Sequence, residues 1–189
     1  GAQDVALLAS LLLQGGRAEG RDAYLLYIDI AKFFPSVDRT NLRFAELMKG
    51  VPRGVLDLVG AIFGEMSGCY DSAYGTCEEF EIYMGALMGC VLSPDRAKIL
   101  LDTVVVAVRL HSRGVLPWGG GGRSVCSLVY CDDWLGIYSD VRDLQAAWAV
   151  WRLREAMSGC SLGLGGDKTM VSAGCWRGGR MVALADPQL

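Results

Sequence analysis

Tyr130-Cys131-Asp132-Asp133 stands between two apolar runs, 125–129 and 134–138. Apolar runs parted by so short a polar break read as a β-hairpin, and its tip would carry two adjacent carboxylates. Like charges side by side repel, so a fold keeps such a pair where something balances or uses them. Carboxylate oxygens are hard ligands that suit magnesium or manganese better than zinc. Phosphoryl transfer through two ions about 4 Å apart needs several carboxylates converging on both. One dipeptide cannot supply them all. A second source lies upstream, where the apolar run Tyr24-Leu25-Leu26-Tyr27-Ile28 ends in Asp29. If that strand pairs beside the hairpin, Asp29 and Asp132 ligate the same ions. In isolation each motif has a plainer reading, since aspartates are common turn residues that accept local backbone bonds.

The elements that must position these acids are legible in outline. Asp4 is a candidate cap for a helix over 5–13, with Gly15-Gly16 ending it. The run 24–30 reads as a buried strand. Thr40 is a candidate cap for a helix over 41–49, with Gly50 just beyond it, and Pro52 suits the first turn of a helix over 53–66. Residues 69–74 and 77–83 flank Gly75-Thr76 as a hairpin. Ser93-Pro94-Asp95 is a strong start for a helix over 96–111, because a hydroxyl caps, proline needs no amide partner and a carboxylate meets the positive helix end. The glycine run 119–122 predicts a turn, and 140–158 an amphipathic helix with Trp148 and Trp151 turned to the core. Strand, helices, hairpin, helix, hairpin, helix and strand predict an α+β fold, a mainly antiparallel sheet with helices packed on one face.

Together with Gly85-Ala86-Leu87-Met88-Gly89-Cys90-Val91-Leu92-Ser93-Pro94 and Gly163-Leu164-Gly165-Gly166-Asp167-Lys168-Thr169, the two aspartate motifs resemble, in order and spacing, the palm of reverse transcriptases. The resemblance runs from about Leu7 to Gly174 and looks closest to non-LTR retrotransposon and group II intron enzymes. It implies an RNA-directed DNA polymerase that extends a DNA primer on an RNA template by adding deoxynucleotides, with two magnesium or manganese ions as cofactors. By resemblance, Asp29 and Asp132 are metal ligands, the Ile30 carbonyl is a further ligand, and Asp133 is the supporting carboxylate. Phe34 falls where the family places an aromatic ring beneath the sugar of the incoming nucleotide. A ring there clashes with a 2′ hydroxyl and favours deoxynucleotides. Met88 and Gly89 fall at the nucleotide site, with methionine where most relatives carry glutamine. Lys168 aligns with a lysine near the triphosphate. Lys32, Arg39 and Tyr130 are candidate nucleic-acid contacts. Asp38 is a competing acid beyond Pro35 whose plainer role is a cap or a surface pair. Asp95-Arg96 replaces the usual apolar pair after Ser93-Pro94.

Composition sets bounds. The chain has 189 residues, 52% of them hydrophobic, enough for one buried core, so a single domain over 1–189 is expected. The longest apolar stretches, 5–13 and 99–110, are too short or are broken by Asp102 and Arg109, so neither predicts a membrane span. A basic-then-apolar leader is missing at the start, and the seven cysteines are an odd number without a Cys-x-x-Cys pair beside a lone histidine, His111. Both features predict an intracellular, reducing compartment, nuclear or cytoplasmic, with no zinc site. The net charge of −3 is low for a protein that holds nucleic acid, since phosphate binding rests on clustered lysine and arginine. In the resembling family those cations come largely from the fingers and thumb, so the chain reads as a palm fragment that works with both. A decayed or non-catalytic domain of the same fold, binding nucleic acid or protein, is the main alternative. An RNA-copying RNA polymerase is opposed by Phe34, and a nucleotidyl cyclase by the motif between the aspartates.

Overall fold

The computed structural model describes residues 1–86, 90–117, 122–130, 132–158, 161–163, 169–177 and 180–183. The chain divides into two compact units, one made of Gly1–Ala31 with Leu101–Leu189, the other of Lys32–Leu100. No helix among the described residues is long and apolar enough to cross a membrane.

The first unit is built on a five-stranded sheet. Its strands are β1 (Ala23–Ile28), β6 (Ser127–Tyr130), β7 (Asp133–Tyr138), β8 (Met170–Arg177) and β9 (Arg180–Ala183). They lie in the order β6-β7-β1-β8-β9, and every neighbouring pair is antiparallel. β1 is the middle strand, which explains its near-continuous apolar sequence: Leu25, Leu26 and Ile28 are all buried. Successive side chains point to opposite faces. On one face Leu25, Leu128 and Ile137 pack with Ala9 and Leu12 of helix α1 (Ala2–Ala18). On the other face Trp134 meets Trp151 of helix α6 (Val141–Ser158) edge-on at 5.4 Å between ring centroids. Gly136 lies between Trp134 and Tyr138 on that face. A Cβ there would sit 2.6 Å from both rings' atoms, so the glycine is what lets two large side chains share it. The expected α+β class and antiparallel sheet are observed, and α1 adds cover to part of the face opposite α6.

α1 corrects one expected boundary. Gly15 and Gly16 lie inside the helix, and the stop is at Gly20, whose φ is +67°. The Gly20 amide donates to the Arg17 carbonyl (3.0 Å) and the Arg21 amide to the Gly16 carbonyl (2.8 Å), the two bonds of a Schellman motif that satisfy carbonyls left over at a helix end.

In the second unit, α2 (Phe33–Ser36), α3 (Arg39–Met48) and α4 (Arg53–Phe63) precede two short strand pairs. These are β2 (Ser67–Gly68) with β5 (Phe80–Glu81), and β3 (Asp71–Ser72) with β4 (Gly75–Thr76). Gly75-Thr76, expected at the turn, is thus itself a strand segment. α5 (Ser93–His111) starts in this unit, at the predicted serine. The cap of α3 is Asp38 rather than Thr40: its carboxylate accepts the Asn41 amide at 2.7 Å. Gly50 ends α3 as expected, again in a Schellman geometry with φ +79°. Arg96, the unusual charge after Ser93-Pro94, pairs with Glu46 of α3 through Nε–Oε1 at 2.6 Å and Nη2–Oε2 at 3.3 Å. The two side chains are only 16% and 4% exposed, and Arg96 also lies over the Phe63 ring.

Removing one partner of such a pair leaves a buried charge unpaired. Glu46→Ala and Arg96→Ala are each expected to cost about 3–5 kcal/mol in urea unfolding, and the double variant Glu46→Leu/Arg96→Met to recover most of that loss.

Candidate active site

The site is assembled by strand register. The last paired residues of β1 and β7 are Ile28 and Trp134, so one step further on Asp29 stands opposite Asp133. In the hairpin, Tyr130 pairs with Asp133, which puts Asp132 in the turn between them. The even spacing of side chains along β1 puts Leu25, Tyr27 and Asp29 on one face, the face that α1 partly covers.

Asp29 is pinned through its backbone. Its amide donates a hydrogen bond to the Thr169 hydroxyl at 3.3 Å, and its carbonyl accepts from the Gly163 amide at 2.8 Å. Ile30 bridges Leu162 in an antiparallel contact, flanked by the Gly163 bond and by Ala31 donating to the Ser161 carbonyl at 3.0 Å. Neither flanking bond uses the Ile30 carbonyl. The segment is anchored in turn to α6, because the Glu155 carboxylate accepts the Leu162 amide at 2.9 Å. The sequence signal for this cradle was slight: one threonine and one glycine in a glycine-rich stretch.

The three acids feel one another. Burial first, then the charges of Asp132 and Asp29, push the Asp133 carboxyl above its ordinary range. The donor chemistry, hard carboxylate oxygens under mutual repulsion, is of the type that suits a divalent cation. As the side chains stand, no group of three or more His, Cys, Asp or Glu among the described residues is drawn close enough to hold a metal ion. Beside the acids a cleft of about 680 Å³ opens between α1 and the sheet. Small α1 residues, Ala2, Ala6 and Ser10, form one wall; Tyr27, Tyr130 and Met170 line the other, with Asp29 and Asp133 at its rim. Tyr27 and Tyr130 are 37% and 42% exposed, a large aromatic surface for strand residues.

The remaining candidates fall in the second unit or outside the described residues. Phe33 is core at 4% exposure, as expected; Phe34 is half-buried, with the two rings 5.5 Å apart. Lys32 is exposed and holds a left-handed backbone, φ +49°, ahead of α2. Arg39 is committed inside its own unit: it donates to the Phe63 carbonyl at 2.6 Å, to the Gly85 carbonyl at 3.1 Å and to the Met66 sulfur at 3.5 Å. Burial, and then the charge of Arg96, lower its pKa. Gly85, not singled out from sequence, has φ +94° and lies so close to the Phe34-Pro35 backbone that a Cβ would sit 3.0 Å from the Pro35 carbonyl oxygen. It donates to Val37, and Ala86 donates to Phe34, both at 2.8 Å. Met88, Gly89 and Lys168 lie outside the described residues.

No protein-family model matches the sequence, and no curated protein matches it. Among solved structures, the apo telomerase of Candida tropicalis, truncated from its C-terminal domain, superposes with a TM-score of 0.57 at 14% identity over 92% of this chain. The chain spans 35% of the length of that telomerase chain. Telomerase is a reverse transcriptase, so the likeness shows a reverse-transcriptase-like, polymerase-type fold.

The repulsion at the hairpin tip has a sign. An acid with a raised folded-state pKa stabilises the fold below its unfolded pKa and loses that contribution as pH rises through the folded value. Asp132→Asn is therefore expected to raise the metal-free melting temperature by at most about a few degrees near neutral pH. The difference should vanish in acid, where Asp133 is protonated; an equal gain at both pH values would contradict it.

Proposed function

We propose that the chain is the catalytic palm of an RNA-directed DNA polymerase from a retroelement of the non-LTR retrotransposon or group II intron kind. The observation that carries the reading is the register that sets Asp29 opposite Asp133, with Asp132 beside it, on a fold of reverse-transcriptase type. Asp29, Asp132 and the Ile30 carbonyl would hold two magnesium or manganese ions, and Asp133 would support them. Bound there, such ions supply charge neutralisation and activation of a primer 3′ hydroxyl. The protein's own work is positioning. β1 and β7 hold the acids at fixed separation, Thr169 and Gly163 keep Asp29 from drifting, and the tyrosine-lined cleft beside them offers flat surface to a primer end. Phe34 would exclude the 2′ hydroxyl of a ribonucleotide, and Met88, Gly89 and Lys168 would complete the nucleotide site. RNA template, DNA primer and deoxynucleotides are the proposed partners, with fingers and thumb regions supplying the cationic contacts that a net charge of −3 does not.

Primer extension on an RNA template, with deoxynucleotides and magnesium or manganese, tests the reading. Incorporation should fall about a hundredfold or more in Asp132→Ala/Asp133→Ala. Absence of metal-dependent incorporation by folded wild-type protein, with fingers and thumb regions present, would favour the alternative of a palm-fold module that binds without synthesis. Phe34→Val should keep deoxynucleotide incorporation and raise ribonucleotide use about tenfold; unchanged sugar preference would remove Phe34 from the nucleotide site.

A further inference from the structure

A second cleft, of about 530 Å³, opens in the first unit at the end of the sheet opposite the carboxylates. Arg21, just before β1, and Ser139 and Asp140, just after β7, line it together with Arg109 and Arg113 from the end of α5 and beyond. β1 is six residues long, at about 3.3 Å each, so roughly 20 Å separates this cleft from Asp29. Three arginines therefore line one cleft in a chain whose overall charge is negative.

The three arginines differ in how they are used. Arg21 is fixed, with Nη2 donating to the Leu116 carbonyl at 3.2 Å and pairing with Glu19 at 2.7 Å, while its Nε is buried without a partner. Arg109 and Arg113 are exposed and make no hydrogen bond or ion pair among the described residues. Two carboxylates share the cleft. Asp140 already accepts the Arg142 amide at 2.8 Å, which makes it a local cap at the start of α6; Asp143 remains. The Ser124 hydroxyl adds a neutral donor and acceptor.

We infer that this cleft binds the phosphodiester backbone of a single-stranded polynucleotide, with Arg109 and Arg113 as the phosphate contacts. Guanidinium groups match phosphate oxygens with paired donors. A carboxylate in the same cleft disfavours a compact, multiply charged anion such as a triphosphate more than a single phosphodiester charge, and it can accept from sugar hydroxyls or base amino groups. The anion chemistry stands on these residues alone. The choice of polynucleotide over an acidic peptide rests on the polymerase reading.

Fluorescence anisotropy with labelled dodecauridylate, on the whole chain in EDTA, tests this without metal or catalysis. Arg109→Gln/Arg113→Gln should weaken binding about tenfold and make the salt slope shallower by about 1.4, two contacts at about 0.7 each. Arg43→Gln/Arg53→Gln, with the same loss of charge on α3 and α4, should change affinity less than about twofold. Asp132→Ala/Asp133→Ala should still bind, so that failure of the polymerase reading and failure of this one are told apart. Both replaced arginines are exposed, and either single variant serves if the double does not melt cooperatively. Absence of wild-type binding, equal losses in the two arginine doubles, or tighter binding of an oligoglutamate peptide through Arg109 and Arg113 would each overturn the inference.

Discussion

Like charges gathered at one end of a sheet push apart, so the sheet must be held by interactions that do not involve them. β1 meets that requirement. It is paired on both edges and buried on both faces, with Leu25 against α1 and Leu26 and Ile28 almost wholly removed from water. Burial of that kind does not vary with pH or salt as ion pairing does. The acids can therefore be set against one another, and Asp133 held above its ordinary pKa, while the register beneath them stays fixed. The bonds of the Asp29 backbone to the Thr169 hydroxyl and the Gly163 amide extend the same logic past the strand's end, where regular pairing stops.

A similar division of labour appears in the second unit. Arg39 gathers the end of α4, Met66 and Gly85 around one half-buried guanidinium, and Gly85 brings its backbone against Phe34 and Pro35. The Glu46–Arg96 pair accounts for a charge that looked out of place after Ser93-Pro94. In sequence, Asp95-Arg96 stands where the resembling family carries an apolar pair. In the fold Arg96 has a matched, buried partner in Glu46.

Much of the site was legible because strands announce themselves through apolar alternation and hairpins through short polar breaks. The placing of Asp29 at a strand end and of Asp132 and Asp133 at a hairpin tip followed from those two signals, and the α+β class from the order of helices and strands. What sequence could not show was distance-independent pairing. Nothing in a lone Gly163 or Thr169 says that it clasps Asp29, and nothing in Arg39 distinguishes a phosphate contact from a clamp on carbonyl groups. Boundaries failed where two plausible signals competed. Gly15-Gly16 looked like a stop, yet burial of α1 against the sheet carries the helix through to Gly20; Thr40 looked like a cap, yet Asp38 reaches the Asn41 amide first.

The hairpin tip has only two residues between Tyr130 and Asp133. Side chains alternate from face to face along a strand, so adding or deleting one residue in β7 just after Asp133 would turn Asp133 toward α6 and away from Asp29, with every acid still present in the sequence. Inheritance at this site is therefore constrained in length more tightly than in chemistry. A homologue with a different residue beside the aspartates can keep the site, whereas one with a different count has lost it.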